Sequence, residues 1–395
     1  MKLFQSLLVA PAALGLLAPI SANATEVNLN EISNYSDEES IEFANFVDDN
    51  LSIQSPLLAG GEGLVDSFDG GFSETTTASF DANFYAGITS DDGAADDRDD
   101  NLGTGYDFTI GLNTSFTGED SLDVTIETGN ANAPGIVEFG GTTYATEALT
   151  VDAITYTFPV GDSFTVMVGD NTDASSLFTT ACAYGGPGDT LDDCGNRNAN
   201  VDNGGVMAGA AYDFGNGLTA AVGYAGDEND VANEEGVDAY GANVAYTGDN
   251  YGVSVTFGAQ EDGGEVGFPE AQDNMGLNTF YAANAYFAPE GTGLPSISAG
   301  YEFGEDDSVV GDDDGLSNFF LGFTWDEVGA GELGIAVGTR VDTVEDTDPQ
   351  YMYEAYYSYP INDGMTITPL VFMQDVSTAN TDDTTGVMVK TSFSF

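Results

Sequence analysis

Runs of alternating apolar and polar residues, joined by connections that are by turns short and long, constrain this chain more than any other feature. Phe80, Ala82, Phe84, Ala86 and Ile88 alternate with Ser79, Asp81, Asn83, Tyr85 and Gly87. Tyr106, Phe108, Ile110 and Leu112 alternate with Asp107, Thr109, Gly111 and Asn113. A period of two is that of a strand with one apolar and one polar face. The pattern predicts sixteen strands, over 78–88, 104–117, 121–129, 147–160, 163–169, 205–214, 218–226, 237–247, 251–259, 276–288, 296–304, 317–326, 332–341, 351–360, 365–374 and 385–395. Between them, turns such as Gly161-Asp162 and Gly215-Asn216-Gly217 alternate with long acidic connections, of which 170–204 is by far the longest. Strict short–long alternation is expected of a transmembrane antiparallel up-and-down β-barrel with short periplasmic turns and long external loops. A β-sandwich gives no reason for it.

Most runs have about the 9–11 residues that a tilted membrane strand needs. No apolar run of about 18 residues follows the N-terminus, so a transmembrane helix is not expected. The N-terminus itself reads as an export signal. Lys2 supplies its charge, Leu3 to Leu17 are apolar, and Ala22-Asn23-Ala24 is a small-residue cleavage motif, with cleavage expected after Ala24. Residues 1–24 are thus a signal peptide, 25–73 an acidic extension (plug, tether or disordered tail), and 74–395 the barrel. The final strand places Val387, Val389, Thr391, Phe393 and Phe395 on one face. A terminal aromatic strand resembles the signal read by the barrel-assembly machinery, with Phe393 and Phe395 as its aromatics. Together these features predict the outer membrane, with its lipid against the apolar faces.

The chain carries 67 acids against 5 bases, a formal charge of −62. Phosphate backbones would be repelled, so nucleic acid is excluded as a partner, and cations are favoured. Disorder is not the reading of this acidity, because 42% of residues are hydrophobic and 51 are glycine, which suits strands and turns. Histidine is absent, so Ser-His-Asp and Cys-His chemistry is excluded. A carboxylate-only hydrolase is the remaining enzymatic reading, and no enzyme is expected. Cys182 and Cys194 are twelve apart, which in an oxidising compartment reads as a loop-closing disulfide, two free thiols being the alternative. Acid clusters at Asp91-Asp92, Asp96 to Asp100 and Asp312 to Asp314 match no calcium-loop pattern. They read as solvated surface that holds Ca2+ weakly at most, with no specific metal or other cofactor expected.

Several stretches resemble the cyanobacterial outer-membrane porins, relatives of the carbohydrate-selective porins. They are the signal region MKLFQSLLVAPAALGLLAP, FSETTT at 72–77, FPVGDSFTVMVGD at 158–170, AYGGPGDT at 183–190 and the ending GVMVKTSFSF at 386–395. The resemblance implies a trimeric sixteen-stranded channel for small solutes, with sugar or iron uptake among the family's labels. Typical members carry a surface-layer-homology domain before the barrel, and the stretch from Thr25 to Phe72 is too short for one.

In sixteen-stranded porins the third long loop folds into the lumen. By that analogy Asp170, Asp173, Asp189, Asp192, Asp193 and Asp202 are expected near a constriction, with Arg197 their only basic neighbour, the alternative being an external cap. Asp81, Asp107, Asp123, Glu127, Asp238 and Glu354 are expected on the water-facing wall, where Arg340 and Lys390 are the only bases. The Tyr351, Tyr353, Tyr356, Tyr357 and Tyr359 run reads as an aromatic girdle or a pore-lining strip, and Trp325 as an interface residue. The expected function is passive diffusion of small hydrophilic solutes with cation preference. The alternatives are a channel selective for sugars or an iron species, and a plugged structural or adhesive barrel.

Overall fold

A computed structural model describes residues 76–90, 101–141, 147–201, 205–228, 231, 237–261, 277–291, 293–305, 315–375 and 383–395. The signal peptide, the 25–73 extension, Asp202 and the acid clusters at 91–100 and 312–314 lie outside these residues.

The strands are β1 (Thr76–Ser90), β2 (Gly103–Thr114), β3 (Ser121–Gly129), β4 (Thr150–Val160), β5 (Phe164–Asp170), β6 (Val206–Gly215), β7 (Leu218–Gly226), β8 (Asp238–Thr247), β9 (Tyr251–Glu261), β10 (Leu277–Phe287), β11 (Ser296–Glu305), β12 (Gly315–Val328), β13 (Gly331–Thr339), β14 (Thr343–Val344), β15 (Tyr351–Asn362), β16 (Met365–Gln374) and β17 (Thr384–Ser394). Consecutive strands pair antiparallel, and β1 pairs with β17 from Asp81↔Ser394 to Ser90↔Thr385, which closes the sheet. The two-residue β14 is not a wall strand. It pairs with Leu316 and Ser317 of β12, while β13 pairs directly with β15. The wall therefore has sixteen strands, at the places the alternation predicts.

Closure leaves no sheet edge unpaired, as a bilayer requires. The short turns are built from residues that tolerate positive φ. Gly215, Asn216 and Gly217 have φ of 77°, 56° and 83°, and a side chain larger than Asn would be strained there.

The two faces settle which side is out. Phe84, Val244, Val255, Tyr281 and Phe303 stand exposed on the outer surface. Asn243, Ser254, Thr256, Asn284, Ser298 and Asn318 point inward and are buried. A polar inside and an apolar outside are the inverse of a soluble barrel. Aromatic rings collect at both ends of the outer face. Near the short turns, Tyr156 meets Phe116 and Phe158, Tyr212 meets Phe164 and Phe214, and Phe323 meets Trp325. Near the long loops, Tyr240, Phe257, Tyr281, Phe303 and Tyr301 form a continuous row. Two such bands are what the two membrane interfaces demand. The tyrosine run of β15 divides between faces. Tyr353 and Tyr359 are exposed outside, whereas Tyr356 points inward and is buried.

Candidate functional site: the lumen and its third loop

The third long loop, between β5 and β6, lies inside the barrel along its inner wall. Asp173 caps a 3-10 turn, Ala174–Leu177, by accepting from Ser175 N at 2.7 Å. The chain then crosses the wall strand by strand. Thr179 N donates to Asn243 Oδ1 (3.0 Å), Ala181 N to Ser254 Oγ (2.9 Å) and Ala183 N to Ser298 Oγ (2.8 Å). Tyr184 reaches Glu354 with its hydroxyl at 2.5 Å. On the return, Asn198 N and Ala199 N donate to Glu302 Oε2 at 2.8 and 2.9 Å. Polar wall residues thus satisfy a loop backbone that has no ladder of its own. Cys182 and Cys194 are disulfide-bonded, with Cα atoms 6.4 Å apart, and tie the outgoing limb to the return.

The second long loop also turns inward. Its 3-10 turn, Pro134–Phe139, sits on β1, β2 and β17, where Gly87, Gly103 and Gly105 leave room for it. The two loops meet at Glu138. Its carbonyl accepts from Asp189 N (2.7 Å), and its carboxylate from Thr190 Oγ1 (2.8 Å) and from Gln374. Ile136, Phe139, Tyr184, Leu191, Phe320, Met352, Leu370, Phe372 and Met388 form one apolar cluster beneath this junction. The sequence reading missed this interior core. Its signal was the run Leu370 to Met373, which is apolar on both faces of β16.

Charged groups fall into three sets. On the wall formed by β1, β2, β3 and β17, Asp81 and Glu127 flank Thr109 in register, and Thr109 donates to Glu127 at 3.2 Å. Asp107 accepts from Asn83 (2.7 Å) and from Tyr85, and Asp123 from Asn113 (2.6 Å). Lys390, on the same wall, lies 5.7 Å from the Tyr85 ring centre. On the third loop, Asp189 and Asp192 reach water. Desolvation by the surrounding loop and the like charges of Asp193 and Asp189 nevertheless push Asp192 up to about 6. Burial also raises Asp193, although Gly195 N bonds it at 2.9 Å and Arg197 lies close. Burial raises Glu138 too, against the bonds from Thr190 and Gln374.

The third set is the arginines. Arg197 donates to the Arg340 carbonyl at 3.0 Å, and Arg340 donates to the Asp375 carbonyl (2.9 Å) and to Gln350 Oε1 (2.5 Å). Arg197 thus ties the third long loop to the end of β13 across the lumen side, and Arg340 ties the connection after β13 to the one after β16.

Four expected placements differ. Asp170 ends β5 on the face of the exposed Phe164 and Val168, so it belongs to the outer surface. Asp238 shares the outer face of β8 with Tyr240 and Val244 and accepts from Tyr224 at 2.7 Å. The period of two fixes both, and an acid at a strand end lies close enough to the headgroups to be tolerated on that face. Glu354 and Asp107 do point inward, but Tyr184, Gly186 and Gly188 cover the first and Asn83 and Tyr85 bond the second, and they are 3% and 6% exposed rather than water-facing. Among the described residues, no group of three or more His, Cys, Asp and Glu is placed to hold a metal ion.

No protein-family model and no curated protein matches the sequence. Solved structures match the fold. OprB of Pseudomonas putida aligns with a TM-score of 0.58 at 12% identity, over 81% of this chain and 94% of that one. An anion-selective porin from Comamonas acidovorans aligns at 0.57 and 16%, over 81% and 99%. A loop-deletion variant of OmpT, an outer-membrane protein of Vibrio cholerae, aligns at 0.53 and 12%, over 81% and 100%. The chain has the sixteen-stranded fold of the bacterial outer-membrane porins. Its apolar outer face between two aromatic bands places it in the outer membrane.

Proposed function

We propose that this barrel is a passive channel for small hydrophilic solutes and that it prefers cations. One observation carries the reading: carboxylates face the lumen from both sides, and no basic ladder opposes them. Asp81, Asp123 and Glu127 stand on the wall, and Asp189 and Asp192 on the third loop. Among the described bases, both arginines bond backbone carbonyls in the loops, and Lys390 lies against Tyr85. A lumen lined this way lowers the energy of a cation and raises that of an anion. The structural neighbour named as anion-selective shares the fold, so the fold alone does not set the sign; the lining charges do.

The third loop is the constriction in this reading, with Asp173, Asp189, Asp192, Asp193 and Arg197 inside it. Export through cleavage after Ala24, assembly guided by Phe393 and Phe395, and a homotrimer belong to the same proposal. A sugar slide would need aromatic faces open to the lumen. The inward rings Tyr85, Tyr184, Phe320 and Tyr356 are buried, and Tyr286 on the inner face of β10 is half-buried against Gly252, so no run of open aromatic faces is seen among the described residues. The test is planar-bilayer recording in a potassium chloride gradient. A reversal potential near that of potassium supports the proposal, and one near that of chloride refutes it.

A further inference from the structure

We infer that a row of four wall glycines sets how far the third loop stands into the lumen, and so sets the bore of the channel. The inference rests on the reading of that loop as the constriction. Gly209, Gly223, Gly241 and Gly258 are directly cross-paired on β6, β7, β8 and β9: Gly209↔Gly223, Gly223↔Gly241 and Gly241↔Gly258. All four face inward and are buried. With strands about 4.8 Å apart, they make a trough about 14 Å long without side chains.

The loop lies in this trough. A methyl group on Gly223 would stand 2.7 Å from Ala174 O and 3.1 Å from Ala174 Cβ, with no wall atom as near. On Gly258 it would meet Ala199 Cα at 2.8 Å and Asn200 O at 3.0 Å, again atoms of the loop alone. On Gly241 it would meet Val201 Cγ2 at 2.7 Å, and also the wall carbonyl of Phe257 at 2.7 Å. At Gly209 the approach is looser, 3.2 Å from Ala174 O. Glycine inside a strand marks a close backbone approach, and four in register mark a seat for a whole segment.

The wall is a closed ladder paired on both sides of every strand, whereas the loop is held by a few side-chain bonds. A methyl group in the trough must therefore displace the loop, and the free direction is the lumen. Glycine here acts as a set of positioning residues. The acids of the loop give the sign of selectivity, and the depth of the trough gives the aperture.

The full-length barrel carrying Gly209→Ala, Gly223→Ala or Gly258→Ala tests this, with Gly111→Ala as control. Gly111 is on the inner wall of β2, where an added methyl meets only the rotatable Ser79 side chain. Single-channel conductance reads the bore, and amide exchange at Thr179, Ala181 and Ala199 reads the seating of the loop. Heat-modifiable gel mobility confirms a folded barrel, and Gly209→Ala serves if the tighter variants do not fold. The expected result is a loss of conductance, larger for Gly223→Ala and Gly258→Ala than for Gly209→Ala. Faster exchange at those amides should accompany it, with Gly111→Ala unchanged. Unchanged exchange and unchanged conductance would overturn the seating. Faster exchange with unchanged conductance would instead show that the loop is not the constriction, and the inference would fall with that reading.

Discussion

Glu302 and Glu354 are both glutamates on the inner wall and both nearly solvent-free, at 1% and 3% exposed, yet they are held differently. Glu302 accepts four bonds, from Asn198 N, Ala199 N, Asn198 Nδ2 and Asn318 Nδ2, all at 2.8 to 3.0 Å. Glu354 accepts from Tyr184, and among the described residues its Oε2 has no partner. Truncating Glu302 orphans two loop amides, whereas a glutamine there keeps an acceptor. Glu302→Ala should therefore destabilise the folded barrel by about 3 kcal/mol, and Glu302→Gln by clearly less. Urea unfolding in lipid vesicles reads the difference, and equal losses would mean that the acceptors do not matter. Asp192 supplies a second prediction at this scale. Its carboxyl sits up near 6, so it is mostly ionised above that pH and mostly neutral below it. Cation preference should step down as pH falls from 7 to 5, and Asp192→Asn should remove that step and resemble the acidified channel at pH 7. A variant that keeps the full pH step would move the titrating group elsewhere.

The strands were legible in the sequence because two short-range signals agree. Period-two alternation marks each strand, and the turn residues mark each reversal, as Gly215-Asn216-Gly217 does. The inward loops were not legible. The trough beneath the third loop consists of glycines on four different strands, and they line up only once the register is known. Asp170 and Asp238 were misplaced for a related reason. Asp238 sits at a strand end and looks like a lumen residue, and Asp170 reads as a loop residue because the strand runs one residue further than its alternation shows; in both cases the parity of the whole strand puts the acid outside. The disulfide belongs to the same scale. A bridge closing a loop of this length is worth roughly 3 kcal/mol when it alone restrains the chain. Here Asn243, Ser254, Ser298 and Glu302 hold the loop as well. Reducing Cys182–Cys194 should leave barrel mobility on gels unchanged and raise open-channel current noise, because only the loop gains freedom. Loss of the folded band on reduction would show that the bridge supports the barrel itself.

At the scale of the whole molecule, the question is how a charge of −62 acts on a permeating ion. The carboxylates do not form one dehydrated ring that strips an ion of water. Asp81, Asp123 and Glu127 are spread over two strands, each hydrogen-bonded to neighbouring side chains, and Asp189 and Asp192 stand on the loop. Such charges act across water, and salt screens them. The Debye length is about 10 Å at 0.1 M and about 3 Å at 1 M. The potential that favours cations should therefore fill the lumen in dilute salt and shrink to the walls in concentrated salt. The potassium-to-chloride permeability ratio should fall markedly when both chambers are raised from 0.1 to 1 M at fixed gradient. The fall should be smaller in a variant with Asp81, Asp123 and Glu127 neutralised together, because less field remains to be screened. A ratio that holds constant across this range would mean that ions meet the acids at contact distance, as in a narrow filter, rather than across a water-filled lumen.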